Sequence, residues 1–490
     1  MFIKRSIAYK AKLLTILLLG IFSVSIGQVK KPAIDSNNIF LLRDLQDLVL
    51  RNHPVVKQAA LLSKEASARV LSAFGKFDPA IASSFGSKKF GGTEYYNHWE
   101  SELKVPLWLA GADLKVGYDR NVGIYNNPES RTSSTGLARV GLSIPLGQGL
   151  LIDSRRNTLR QAQIMVGYAE AEKISQINEL WYTAGKDYWS WYFAFQQYRF
   201  IKDGVDLAQL RFNAIRAQVL IGDKPPIDSV EAGITLQDRV VQMKESEVEL
   251  TNTRLILSNY LWNKDGLPQE LPATAVPEEV SATDKIAARL SLDSLLGQAR
   301  DNHPELLKLR TEQAQLDIER RYRQEMLKPK LNISGNLLAG RRDPFVYVNP
   351  RYDFNFSNYK VGLDFALPLF LREERGKLRE VKIKQTELQY GLQQTGRVLQ
   401  TGVQSSFNEV KGYQSQVELQ TRNVESQRVL LRAELQKFEL GESNLFLINT
   451  RETKLIDMEV KKAELESKFQ KSIAEVYYRA GNRVALQGNN

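Results

Sequence analysis

Two kinds of periodicity alternate along this chain, and they recur in the same order in both halves. The first has period two, the signature of a strand. Trp99, Ser101, Leu103, Val105 and Leu107 share one face, with Glu100, Glu102 and Lys104 opposite. In the second half Tyr359, Val361, Leu363, Phe365 and Leu367 oppose Lys360, Gly362, Asp364 and Ala366. Each run has the length of a tilted strand that crosses a bilayer, roughly 9–11 residues. Leu331, Ile333, Gly335 and Leu337 predict a partner strand, Val140, Leu142, Ile144 and Leu146 another, and residues 80–87 and 112–119 two more.

The second periodicity is helical. No proline interrupts the stretch from about Leu159 to Leu220, nor that from Lys377 to Leu440. Each predicts a helix of ~60 residues, roughly 90 Å at 1.5 Å per residue, too long for an ordinary globular core. After breaks at Gly222 and Gly441, the stretches Ser229 to Asn263 and Asn444 to Ala480 return antiparallel, giving one helical hairpin per half. The first returning helix carries Ile234, Val241, Val248 and Leu255 at intervals of seven, and Leu236, Met243, Leu250 and Leu257 at the same interval. At ~100° per residue these two rows lie on nearly opposite faces, so the helix is expected to have neighbours on both sides, as in the wall of a helical barrel. The remaining positions, Asp238, Arg239, Lys244, Glu245 and Glu249, are expected to face water. The second returning helix has Ile448, Leu455, Phe469 and Val476 in heptad register, interrupted by Lys462. The aromatic run from Tyr188 to Phe195, with Trp181 and Tyr182 before it, has no basic residue within it, and the next one after it is Arg199. It reads as inter-helix packing rather than a platform for nucleic-acid bases.

Asn52-His53-Pro54 recurs 250 residues later as Asn302-His303-Pro304, and Pro79 recurs at the same offset as Pro329. Such self-similarity marks a duplicated unit. Each Asn-His-Pro ends one short helix and starts the next, because proline disfavours helix before it and suits a first helical turn. The two histidines are therefore helix punctuation rather than ligands. A proline-rich joint separates the halves, and the chain divides into residues 28–265 (first repeat), 266–284 (linker), 285–482 (second repeat) and a tail, 483–490.

Residues 1–27 have the form of a secretory signal peptide, with Lys4, Arg5, Lys10 and Lys12 around and before the apolar run Leu13 to Phe22 and small residues at Ser25-Ile26-Gly27. No later stretch approaches the ~18 apolar residues of a membrane helix. The chain has no cysteine, which excludes a disulfide framework, a thiolate metal site, a cysteine nucleophile and a lipoprotein anchor. The formal charge of +11 falls to +7 without the leader, and the charges are scattered as solvated helix faces rather than gathered as a nucleic-acid patch. With only His53, His98 and His303 and no phosphate-cradling glycine loop, the sequence offers no catalytic constellation and no cofactor site.

Alternating charged and apolar residues suit a soluble half-buried sheet as well. After a signal peptide, and with aromatic ends, they favour an outer-membrane barrel, polar toward the lumen and apolar toward lipid. Four to six strands cannot close such a barrel, and an open edge in lipid leaves backbone groups unsatisfied. Other copies of the chain must complete it.

In this order of parts the chain resembles the TolC-like outer-membrane efflux family over nearly its whole mature length. The Asn-His-Pro pair resembles the family's Asn-Pro element near each repeat start. Ser143-Ile144-Pro145-Leu146 and Ala366-Leu367-Pro368-Leu369-Phe370 resemble its strand-to-helix junction, and Phe438-Glu439-Leu440-Gly441-Glu442-Ser443 resembles the tip of its second hairpin. The resemblance implies an α+β membrane protein, a homotrimer whose strands form one transmembrane β-barrel continuous with a long periplasmic α-helical barrel. It also implies a periplasmic adaptor and an inner-membrane pump as partners, outer-membrane lipid around the barrel, and helical tips that open like an iris. Acids at such tips gather cations and narrow the aperture. Asp223 and Asp228 at the first tip and Glu442 at the second are the candidates, against a reading as solvated turn residues. Leu447, Ile448 and Asn449 stand where relatives often place acids, and Pro225-Pro226 stiffens the first turn. The segment from Tyr95 to Pro145 is long enough for an extra hairpin around Gly111 and Gly117, which either enlarges the barrel or extends above the membrane. A periplasmic adaptor or coiled-coil scaffold is the alternative, though an adaptor needs no lipid-facing strands twice.

Overall fold

The structure, a computed structural model, describes residues 39–280, 290–340, 352 and 354–482. The expected signal peptide, the last residues of the linker (281–284) and the tail lie outside the described residues. In chain order the elements are β1 (Ile39–Phe40), α1 (Leu42–Asn52), α2 (Pro54–Phe74), β2 (Ala80–Phe90), β3 (Thr93–Pro106), β4 (Asp113–Val122) and β5 (Leu137–Pro145). The first hairpin, α3 (Ser154–Leu220) and α4 (Pro226–Ser258), is followed by β6 (Val276–Pro277). The second half has α5 (Leu292–Asn302), α6 (Pro304–Glu325), β7 (Lys330–Gly340), β8 (Tyr359–Ala366) and the hairpin α7 (Arg372–Glu439) and α8 (Leu445–Arg479).

The short helices begin and end where the Asn-His-Pro elements stand. His53 Nδ1 accepts a hydrogen bond from the Val55 N–H and His303 Nδ1 from the Glu305 N–H, each at 3.2 Å. Each histidine thus closes one helix and caps the next. The long helices run past the sequence estimate, to 67 and 68 residues. Asp153 caps α3, its carboxylate accepting from the Arg156 N–H at 2.9 Å. Gly222 and Gly441, with φ of 79° and 80°, end the outgoing helices in the left-handed conformation that glycine adopts freely.

The four long helices form one layer in the order α4, α3, α8, α7. Partners across α3 and α8 run in opposite directions, from Tyr182 against Tyr478 to Arg211 against Glu452, so neighbours in the layer are antiparallel throughout. The short helices α2 and α6 lie along the part of α3 nearer the strands. The aromatic run packs between helices as expected: Tyr188, Trp191 and Tyr192 are buried with Leu45, Val49, Leu257, Leu261 and Leu271. Tyr188 Oη donates to the Phe40 carbonyl and Tyr192 Oη to Glu466. Leu271 and Ala275 of the linker pack into this same core, and β6 pairs with β1.

The six longer strands make a single antiparallel sheet in the order β2-β3-β4-β5-β7-β8. Every expected strand is present. The sheet's register aligns apolar residues laterally, so that Ile81, Leu103, Val116, Val140, Leu337 and Tyr359 form one continuous row. One face is bare and apolar, with Ile81, Phe85, Val361, Leu363 and Phe365 all exposed. Aromatic residues gather at both ends of the strands: Phe90, Tyr95 and Tyr125 at the end away from the helices, Phe77 and Trp108 at the helical end. An apolar band between aromatic girdles is the pattern of a strand surface in lipid. Among the described residues no helix is long and apolar enough to cross a membrane.

Candidate functional site

The layer of helices ends in two turns, and the structure brings them together. Lys224 of the first turn lies 5.3 Å from the ring centroid of Phe438 at the second. Behind them Leu445 packs with Ile215 and Ala232, so the first turn of α8 rests on the end of the first hairpin. Asp223, Asp228 and Glu442 therefore sit at one end of the molecule, as the sequence expected. Asp223 and Glu442 are exposed in the closing turns, where their backbone N–H groups donate to the Gln218 and Lys437 carbonyls at 2.9 and 2.8 Å. Asp228 is half-buried in the first turn of α4, whose amide end favours an anion. No ion pair engages any of these three carboxylates among the described residues, which leaves their charge to act on the solvent in front of the turns.

About two to four helical turns behind the tip lies a constellation that periodicity did not reveal. Glu452 of α8 is buried and takes both guanidinium nitrogens of Arg211 on α3, one at 2.9 Å and a second closer contact. Arg239 of α4 donates to the same carboxylate at 3.1 Å and to the Gly204 carbonyl of α3 at 2.8 Å. Arg211 also donates to Asn449 Oδ1 at 2.9 Å. At Gly204 a Cβ would fall 2.6 Å from Ile456 Cδ1, so the glycine leaves room for the Ile456 side chain of α8 against α3 at this level. Burial by itself pushes the Glu452 carboxyl up, but the hydrogen bonds and charge of Arg211, then those of Arg239, outweigh it and hold the group below the usual glutamate range. One carboxylate thus ties both helices of the first hairpin to the second.

The expectation that Arg239 faces water is corrected. It is 5% exposed, whereas Asp238, Lys244, Glu245 and Glu249 are exposed as expected. The reason lies in the packing of α4. Its buried seam is Ala232, Arg239, Ser246 and Thr253, a row of mostly small residues at intervals of seven that lets α3 come close. The Leu236 to Leu257 row flanks that seam, half-buried until Leu257, which is fully enclosed. Ile234, Val241, Val248 and Leu255 are left 45–60% exposed, so no helix among the described residues buries the second apolar row. In the heptad of α8, Ile448, Phe469 and Val476 are buried and Leu455 is half-buried, while Lys462, half-exposed, pairs with Glu466.

At the other end, the sheet's second face is charged. Arg139 lies across the sheet and contacts Glu100, Glu102 and Asp119 at 2.8 to 3.0 Å. Lys104 pairs with Asp113 at 3.0 Å. No group of three or more histidine, cysteine, aspartate or glutamate side chains suited to a metal ion occurs among the described residues.

Comparison with known proteins places this architecture. Residues 295–478 match the family model described as outer membrane efflux protein. Among solved structures, the chain is similar to the CmeC outer membrane channel of Campylobacter jejuni, with 14% identity over 92% of this chain and 87% of that one and a TM-score of 0.64. It is similar to the outer membrane protein VceC of Vibrio cholerae, with 13% identity over 90% and 96% of the two chains and a TM-score of 0.63. The open state of the MtrE outer membrane channel of Neisseria gonorrhoeae gives 13% identity, coverage of 90% and 88%, and a TM-score of 0.62. These likenesses establish the fold. No curated protein matches the sequence.

Proposed function

With residues 295–478 matching the family model described as outer membrane efflux protein, we propose that three copies of this chain close into a duct through the outer membrane. The duct gives solutes passive passage from a periplasmic adaptor and inner-membrane pump, in a tripartite efflux or type I secretion system, to the exterior. The chain is a channel and not an enzyme. It comprises two repeats that each carry strands and a helical hairpin.

The observation that supports this reading is that both layers are open at matching edges. The sheet ends in β2 and β8, and the helix layer ends in α4 and α7. Both layers have an even number of antiparallel members, so the edge of one copy meets the opposite edge of the next in antiparallel order. A ring of copies therefore continues both layers without a break, satisfying the strand edges that lipid would otherwise leave unpaired. The bare α4 row and exposed Ile383, Val398 and Leu419 on α7 supply apolar surface at the helical edges. In such a ring the Asp223, Asp228 and Glu442 turns of every copy surround one aperture at the periplasmic end.

The reading is tested by the mass of the detergent-extracted protein and by its location in fractionated cells. A particle of three chain masses in the outer-membrane fraction is expected. A monomer in the soluble periplasmic fraction would return the chain to the adaptor or scaffold class.

A further inference from the structure

The two halves contribute unequally to the sheet. By position β2 corresponds to β7, each following the proline at the 250-residue offset, and β5 corresponds to β8, each leading through Pro-Leu into the first long helix. Between β2 and β5 the first half inserts β3 and β4. A strict duplication would give this sheet four strands; among the described residues it has six.

We propose that β3 and β4 are full membrane-spanning staves, so that three chains enclose an eighteen-stranded barrel with an ion-paired lumen. This rests on the three-copy ring argued above. Three observations carry it. First, among the described residues β2 pairs with no strand except β3, and β5 reaches β2 only through β4 and β3. Lifting the inserted hairpin above the membrane would therefore cut β2 out of the sheet. Ten residue pairs join β3 to β4 and seven join β4 to β5, and the apolar row continues through Leu103 and Val116 without a gap. Second, the turn between β3 and β4 stands at the helical end of the sheet. Its Trp108 packs on Phe77 with ring centroids 5.3 Å apart, placing it in the lower aromatic girdle. Arg155, in the first turn of α3, donates to Asp113 at 2.7 Å and to the Gly111 carbonyl at 3.0 Å, while Asp153 holds the same guanidinium at 3.1 Å. The inserted hairpin is thereby clamped to the start of the helical layer. Third, Arg139 on β5 crosses β4 to reach Glu100 and Glu102 on β3, and it does so over Gly117, where any Cβ would collide with the guanidinium. The inserted strands are stitched to the sheet on its polar face.

Geometry turns the strand number into a width. With strands ~4.8 Å apart and tilted ~40°, eighteen staves give a backbone diameter of about 36 Å, against about 24 Å for twelve. Barrels of ~16–18 strands leave an aqueous channel. The membrane end is then not the element that limits cargo size, and that task falls to the helical tips.

Because the chain has no cysteine, single cysteines report cleanly. Spin labels at Leu103→Cys on β3 and Val116→Cys on β4 are compared with Leu363→Cys on β8 in proteoliposomes, using molecular oxygen as the lipid-phase relaxant and a nickel chelate as the aqueous one. All three sites are expected to be open to oxygen and shielded from nickel to the same degree. Nickel access at Leu103 and Val116 but not at Leu363 would overturn the proposal. End-on images of the particle provide a second measurement, for which a barrel about 36 Å across supports eighteen strands and one about 24 Å across contradicts them. A particle of any other copy number would sink the three-copy reading itself, whatever the labels show.

Discussion

Replacing Glu452 by alanine removes the single anion that joins Arg211 and Arg239 across the two hairpins. Breaking a buried pair by deleting one partner costs ~3–5 kcal/mol, because the other charge stays buried without compensation. The Arg239 side chain is 6% exposed and keeps only the Gly204 carbonyl, whereas the Arg211 side chain, 18% exposed, finds water and Asn449. The lower end of the range, about 3 kcal/mol, is therefore appropriate, an increase of more than ~100-fold in the opening equilibrium of the tip. Hydrogen exchange measures it directly. Amides of residues 205–240 and 445–455 should lose protection by that factor in Glu452→Ala, while amides around Tyr188, in a separate core, should not change. Replacing Arg211, Arg239 and Glu452 together by methionine should restore much of the protection, since an apolar substitute removes the stranded charges along with the pair. The pH dependence has a definite sign. The Glu452 carboxyl is held below its ordinary value of 4.5, so its contribution is complete above that pH and is lost only as pH falls through the lower folded value. A change below fivefold in Glu452→Ala at pH 7 would refute the assignment of this network as the clamp between hairpins.

The α4 row gives a second prediction: Val241→Asp with Val248→Asp places charges on a stripe that is exposed in the single chain and that the proposed ring would cover, so the isolated protomer should fold while the three-copy particle is lost on size-exclusion chromatography. Retention of the full particle would show that this stripe is not the seam. The capping histidines give a third. Burial lowers the pKa of both His53 and His303 below 6.5, and each accepts a backbone hydrogen bond through a neutral Nδ1. Their contribution is thus present above pH 6.5 and declines as pH falls below it, by ~1 kcal/mol for each cap lost. Thermal melts at pH 8 and 5.5 should differ more for the wild type than for His53→Asn with His303→Asn, and equal differences would rule the caps out as the cause.

Much of this architecture was legible because it is periodic. Period-two runs located all six strands, and the proline-free stretches located both hairpins to within a few residues. Asn-His-Pro marked the paired short helices because a proline and a side-chain acceptor act locally, within three residues of where they stand. The positions of Asp223 and Glu442 in the closing turns were legible because the glycine just before each marks the turn. What the sequence hid depends on contacts between distant segments. Arg239 looked solvent-facing because heptad reading ranks positions by apolarity, whereas α4 buries a row of small residues and admits a charge only because Glu452, 213 residues away, meets it. The place of the extra hairpin was open for the same reason: its membership in the sheet rests on ladder pairing with β2 and β5 and on Arg139 and Arg155, contacts between segments that no local pattern specifies.

The central claim, a ring of copies enclosing one aqueous path that narrows at the tips, is tested most directly by single-channel recording of the mature protein in planar bilayers. Wild type is compared with Asp228→Ala combined with Glu442→Ala. A small, cation-selective conductance that rises and loses selectivity in the variant is the predicted result. A bilayer that stays silent with trimeric protein demonstrably inserted, or a large conductance indifferent to these carboxylates, would contradict the account.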